Sequence, residues 1–204
     1  MTPFLTTTGV AVPLLLDDIN TDQIAPQQID RSLDPDYRVM LFRRQRQDAG
    51  FILNRPQYQR AAILLGGSNF GCGSARETAV WALMSWGIRC LVARGFADIF
   101  RENCLQNGVL PLELSEPAHA AFAARVVATD GSAPFTVDLV TQRIGGPAGP
   151  DVAFDIAPSD RMRLIEGLDD IGLTLKHADD IAAWERRTAA ATPWLQTARD
   201  SRRT

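Results

Sequence analysis

The sequence predicts an α/β domain with parallel βαβ units and added antiparallel β segments, and three observations predict it. An apolar run from Ala61 to Leu65 leads into a glycine-rich loop and then a helical pattern. The strand-then-helix order repeats as far as residue 128. Beyond Gly131 apolar and polar residues alternate instead. Strand, helix and strand in succession imply a parallel, right-handed unit, whereas alternation implies antiparallel pairing.

In chain order, the apolar segment from Val10 to Leu16 contains Pro13. Proline has no amide to donate to a ladder, so this is an edge strand. Asp17-Asp18-Ile19-Asn20-Thr21-Asp22 follows. Such side chains bond to their own backbone, which makes a turn the plain reading; the sharper one sets Asp22 in a cleft, orienting another group. Residues 26 to 50, with breakers Pro26 and Pro35, hold a helix from Asp36 through Arg46. They form either a surface connection or a flap over the glycine loop, with Arg31 and Arg46 the residues to watch.

The helix after the loop carries Ala79, Val80, Leu83 and Trp86, and Gly87 supplies the residue past its end. Ile88 to Ala93 is the next strand. Phe96 to Asn107 places Phe96, Ile99, Phe100, Cys104 and Leu105 at helical spacing before Gly108. Val109 to Leu114 is a strand, and Pro117 to Ala128 a helix. A hairpin then joins Phe135, Val137 and Leu139 to Val152, Phe154 and Ile156 across Gly145-Gly146-Pro147. Ser159 is expected to cap a short helix ending near Gly167, and His177 to Arg187 to form an amphipathic helix. Residues 1–187 are expected to make one domain and 188–204 a flexible tail.

Composition narrows the function. At 204 residues and 46% hydrophobic the chain buries a real core. A net charge of −3, from 21 basic and 24 acidic residues, offers no concentrated basic face for nucleic acid. No apolar stretch approaches the roughly 20 residues of a membrane span, and the start does not resemble a signal peptide, so a cytoplasmic location is expected. Cys72, Cys90 and Cys104 have neither disulfide-framework nor metal-site spacing, so no metal ligand is expected in this chain.

The chemistry concentrates in Gly66-Gly67-Ser68-Asn69-Phe70-Gly71-Cys72-Gly73-Ser74-Ala75-Arg76-Glu77. Its glycines permit positive φ and close approach to a ligand. Ser74 and Glu77 have capping-box spacing, which starts the helix at Ser74 and turns its amides and positive dipole end on the loop. That is a site for an anion. Two readings of Ser74 stand: a capping serine, or a group that transfers a proton as an alkoxide. Arg76 pairs either with Glu77 or with a substrate carboxylate. The P-loop is ruled out because Gly73 stands where lysine is needed, and the dinucleotide fingerprint because Arg76 stands where a small residue is needed. Spacing and charge lead to a dicarboxylate or phosphate site and leave the reaction unnamed.

Asn69-Phe70-Gly71-Cys72-Gly73-Ser74, continuing to Arg76-Glu77, closely resembles the signature of the 3-isopropylmalate dehydratase small-subunit family, the swivelling domain of the aconitase superfamily. Asn20-Thr21-Asp22 with Ile24 and Pro26, Phe96-Ala97-Asp98-Ile99-Phe100, and Gly167 through Leu175 resemble its other blocks in the same order. The resemblance implies a β/β/α swivelling domain that completes the active site of a separate large subunit. That partner would carry a four-iron four-sulfur cluster, whose iron binds substrate oxygens as a Lewis acid. It also implies that Ser74 is the base removing the proton next to a carboxylate, that Asp22 orients acid–base groups, and that Arg76 and Arg46 bind a small dicarboxylate. With Asn69, Gly71, Gly73 and Arg31 these complete the expected site.

The sequence departs from the family pattern at Ala75 and Thr78, where serine and histidine are usual, and at Asp30 and Arg31 in the selectivity loop. An arginine there suits a substrate bearing an extra carboxylate. The expected reaction is interconversion of 2- and 3-isopropylmalate in leucine biosynthesis. The alternatives are the same chemistry on a methylmalate, dimethylmaleate or homoaconitate-like acid, a non-catalytic binding paralogue, or a stand-alone enzyme.

Overall fold

The computed structural model describes residues 1–26 and 35–195. These divide into two compact units, one from Met1 to Gly167 and a second beginning at Leu168. The first opens with β1 (Thr6–Gly9), β2 (Ala11–Pro13), α1 (Thr21–Ile24) and α2 (Tyr37–Met40). It continues through β3 (Ile63–Leu65), α3 (Glu77–Trp86), β4 (Cys90–Ala93), α4 (Asp98–Asn107), β5 (Leu110–Glu113) and α5 (Glu116–Thr129). It closes with β6 (Phe135–Asp138), β7 (Arg143–Gly145), β8 (Val152–Ala153) and α6 (Pro158–Glu166).

Two sheets result. The parallel sheet runs β2-β3-β4-β5 and the antiparallel sheet β1-β6-β7-β8. Both prolines of the parallel sheet, Pro13 and Pro111, fall on its edge strands, where a missing amide leaves no gap in a ladder. Successive side chains of a strand point to opposite faces, and both faces here are covered. Val12, Leu64 and Leu91 pack with Val80, Leu83 and Trp86 of α3 and with Tyr58. Ile63, Leu65, Cys90 and Val92 pack with Phe122 and Val126 of α5 and with Phe135, Val137 and Ile144 of the antiparallel sheet. A helical layer, the parallel sheet and the antiparallel sheet give the expected β/β/α arrangement. Each large apolar side chain buried this way stabilises the fold by about 1.5–3 kcal/mol.

The structure corrects several expectations. The hairpin turn lies at residues 139–142, because the Asp138 carboxylate accepts the amides of Val140 at 2.8 Å and Thr141 at 2.9 Å and Gln142 takes φ +54°. The Gly145-Gly146-Pro147 stretch instead links β7 to β8. The helix expected from Asp36 through Arg46 stops at Met40: Phe42 has φ +46° and donates its amide to the Ile24 carbonyl at 2.8 Å. Ala157, not Ser159, is the residue before α6.

In the second unit α7 (Asp170–Leu175) begins where the Asp169 carboxylate accepts the Gly172 amide at 2.7 Å. Then α8 (Ala178–Ala191) runs beyond Arg187, and a turn of 3₁₀ helix occupies Pro193–Leu195. Residues 196–204 of the expected tail, and Asp30 and Arg31 of the expected flap, lie outside the described residues. No helix among the described residues is long and apolar enough to cross a membrane.

Candidate active site

The glycine-rich loop leaves β3 and is held by the chain segments that follow β2 and β4. The Gly67 amide donates to the Leu16 carbonyl at 2.9 Å, Gly71 to Ile19 at 2.7 Å, and Phe70 to Gly95 at 3.0 Å. In return Asp18 donates to Ser68 at 2.9 Å, Thr21 to Cys72 at 2.9 Å, and Ala97 to Phe70 at 3.0 Å. Parallel strands end together, so their following loops lie side by side at one end of the sheet. Ligand sites in parallel sheets collect there.

Gly71 and Gly73 of the loop take left-handed φ, which favours glycine. Gly71 has φ +81°, and a Cβ there would lie 2.1 Å from the ring of Phe100. Gly73 has φ +91° with more room, its nearest neighbour being Asn20 at 3.4 Å. Asn69 also takes a left-handed φ of +53°, and its side-chain amide donates to the Asp18 carboxylate at 2.8 Å. Beneath the loop Phe70, Phe96 and Phe100 form an aromatic cluster with centroids 5.7–6.5 Å apart.

Ser74 does not cap the helix. The first turn of α3 begins at Glu77, with Arg76 extended before it and no side chain closing its amides. The backbone is still extended at Arg76, so the helix starts three residues after Ser74. Ser74 is exposed, and its hydroxyl makes no hydrogen bond among the described residues. Arg76 pairs with Asp22 rather than Glu77, and Glu77 accepts from Asn107 at 3.1 Å. Asp22 reaches Arg76 because Asn20 caps α1, accepting the Gln23 amide at 2.8 Å while the Gln23 side chain accepts the Asn20 amide at 2.8 Å. The structure thus gathers Asp22, Asn69, Gly71, Gly73, Ser74 and Arg76.

Arg46 is placed elsewhere. Its guanidinium lies 4.7 Å from the ring centre of Trp86, at the end of α3 remote from Arg76, roughly 14 Å along the helix at 1.5 Å per residue. Arg38 stacks on the same ring at 4.8 Å. Burial, and then the charge of Arg38, lower the Arg46 pKa.

Four residues at the site were not legible beforehand. The Asp17 carboxylate accepts the Ser68 amide at 2.6 Å and the Arg94 guanidinium at 2.6 Å; the amide first, then Arg94, hold its pKa below the ordinary value. Buried His119 of α5 has Nε2 2.7 Å from the Gly66 carbonyl. Thr21 is 1% exposed, and its hydroxyl donates to the Ser74 carbonyl at 2.8 Å. Asn20-Thr21-Asp22 was the signal for Thr21, whereas nothing local marks Arg94 or His119.

Residues 1–117 match the aconitase C-terminal domain, and residues 170–198 match the C-terminal domain of the 3-isopropylmalate dehydratase small subunit. The 3-isopropylmalate dehydratase small subunit of Acidothermus cellulolyticus is 47% identical over 204 residues, spanning 98% of this chain and 100% of that one. That of Frankia casuarinae is 46% identical over 194 residues, spanning 95% and 98%. This chain belongs to the 3-isopropylmalate dehydratase small-subunit family. A solved 3-isopropylmalate dehydratase from Methanocaldococcus jannaschii matches 89% of this chain and 99% of its own at a TM-score of 0.61; at 24% identity it bears on the fold alone.

The donor set of this family member does not fit an iron–sulfur cluster among the described residues. Cys90 and Cys104 are fully buried in different cores, and burial pushes both thiols up, away from the thiolate a metal needs. Cys72 stands apart on the loop, and no three His, Cys, Asp or Glu side chains among the described residues are grouped to hold a metal ion.

Proposed function

We propose that this chain is the small subunit of a cytoplasmic hydro-lyase that interconverts 2-isopropylmalate and 3-isopropylmalate by dehydration and rehydration in leucine biosynthesis. It acts only with a large subunit, which holds the four-iron four-sulfur cluster and the rest of the active site. The observation that carries the reading is an exposed Ser74 hydroxyl with no hydrogen-bond partner among the described residues, two residues from an arginine already oriented by a carboxylate.

Ser74 is the base. The uncapped amides of α3 and the Arg76 guanidinium both favour negative charge at its oxygen. As the alkoxide it takes the proton from the carbon next to a substrate carboxylate; the electrons of that C–H bond form the double bond, the hydroxyl on the neighbouring carbon departs with its bonding pair as hydroxide, and that hydroxide with the proton now on Ser74 makes up the water lost. Rehydration with the opposite regiochemistry gives the isomer. Arg76 presents its fork to the carboxylate, since pairing with Asp22 fixes its orientation and leaves donors free. Asn69, Gly71 and Gly73 form the backbone wall against which the substrate lies.

The test is to assemble the chain with its large subunit under anaerobic conditions and assay isopropylmalate beside methyl-substituted and tricarboxylate analogues. Ser74→Ala is expected to lower kcat by about 10²–10⁴, the usual contribution of a positioned base, with assembly unchanged. Undiminished turnover by Ser74→Ala refutes the assignment of the base. Turnover of an analogue in place of isopropylmalate refutes the substrate.

A further inference from the structure

We propose that Thr21 is the positioning residue for Ser74, setting the direction of the base through its backbone. The inference rests on Ser74 being that base. Ser74 belongs to neither a helix nor a strand, and the residue before it, Gly73, carries φ +91°. A glycine there leaves the chain free to swivel unless the peptide before Gly73 and the peptide after Ser74 are held. Thr21 holds both: its amide donates to the Cys72 carbonyl at 2.9 Å, and its hydroxyl donates to the Ser74 carbonyl at 2.8 Å.

The clamp is rigid for local reasons. Thr21 opens α1 directly after its cap Asn20, and the Ala25 amide donates to the Thr21 carbonyl at 2.9 Å. A β-branched side chain has few χ1 choices, and at 1% exposure its hydroxyl has no water to turn to. A buried hydroxyl without a partner is costly, so displacing the Ser74 carbonyl is opposed from the Thr21 side as well. Asp22, the next residue, holds Arg76 by its side chain. Adjacent residues of one short helix thereby fix the base and the carboxylate-binding arginine relative to each other.

The experiment compares Thr21→Val, Thr21→Ser and Ser74→Ala in the chain assembled with its large subunit. Valine keeps the shape and removes the donor; serine keeps the donor. Loss of one such hydrogen bond is expected to lower kcat about three- to tenfold in Thr21→Val, with KM within about twofold, and Thr21→Ser to retain wild-type kcat. Thr21→Val at wild-type kcat while Ser74→Ala is inactive overturns the clamp and leaves the base in place. An equal loss in Thr21→Val and Thr21→Ser also overturns it, because the methyl group and not the hydroxyl would then matter. Full activity in Ser74→Ala removes the base itself, and the clamp with it. Should Thr21→Val fail to assemble, Thr21→Cys, similar in size but a weak donor, serves in its place, and wild-type kcat there overturns the proposal.

Discussion

Replacing Gly71 and Gly73 by alanine separates two costs that the loop combines. Each residue has a positive φ, near +81° and +91°, so alanine at either position carries the left-handed penalty of about 1–2 kcal/mol. At Gly73 the added methyl meets Asn20 at 3.4 Å, a contact that small adjustments relieve. At Gly71 it lies 2.1 Å from Cγ and 2.6 Å from Cβ of Phe100. The second distance decides the matter: turning the ring moves Cγ away but leaves Cβ where the backbone of α4 puts it. Relief requires the loop and α4 to part, opening the Phe70–Phe96–Phe100 cluster. Overpacking of this kind adds about 1–3 kcal/mol, for a total near 2–5 kcal/mol at Gly71 against 1–2 at Gly73. At roughly 2–4 °C per kcal/mol for a domain of this size, Gly71→Ala should melt about 2–12 °C below Gly73→Ala. Thermal unfolding of the two variants followed by circular dichroism measures the gap. Coincident melting curves would refute the claim that contact with α4 sets the loop's position.

Other outcomes follow from single contacts. Asp17, its pKa lowered by the Ser68 amide and then by Arg94, contributes stability that is complete above the unfolded-state value near 4 and is lost as pH falls through its lower folded-state value. The gap in urea midpoint between wild type and Asp17→Asn should therefore be open at pH 6 and narrow as pH falls below about 4; a gap independent of pH contradicts this. Buried Arg125 donates to the carbonyls of Gly146, Pro147, Gly149 and Pro150. Arg125→Met, which keeps the stem and removes the donors, should cost about 2–4 kcal/mol in chemical denaturation, and a loss under about 0.5 kcal/mol, the ordinary effect of a surface change, would count against a stabilising role for these four hydrogen bonds. With Cys90 and Cys104 buried and their thiols pushed up, an alkylating reagent should modify Cys72 alone in the native chain and all three cysteines after unfolding, as read by mass spectrometry. Modification of Cys90 before unfolding would place the core differently.

Much of this fold was legible because its signals are local. Apolar runs bounded by Gly87 and Gly108 predict β4, α4 and β5, and both glycines do take left-handed φ at helix ends. Pro13 marks an edge strand in the sequence and lies on one. The misplaced hairpin shows the limit: a glycine pair and a proline look like the tighter turn, yet Asp138 makes the turn by accepting two amides. Ser74 and Glu77 have the spacing of a capping box without forming one, because the backbone is still extended at Arg76 and the helix begins only at Glu77. The true capping box, Asn20 with Gln23, lies inside a segment whose composition says only turn.

The sequence by itself determined the α/β class, the family, and the loop in which Ser74 and Arg76 lie, since each depends on residues within a few positions of one another. Only the tertiary structure decided which partners they have. Asp22 takes Arg76 away from Glu77, Thr21 holds the Ser74 backbone, Asp17, itself paired with Arg94, holds Ser68, and His119 reaches Gly66 from another layer, across separations of 51 to 54 residues for Asp22, Thr21, Asp17 and His119. The physical reason is the geometry of a parallel sheet, whose strands end side by side and bring together loops that the chain order keeps apart. Arg46 shows the same rule in reverse: a basic residue in the expected segment is drawn to Trp86, because a buried aromatic face close at hand holds a guanidinium that the site loop does not reach.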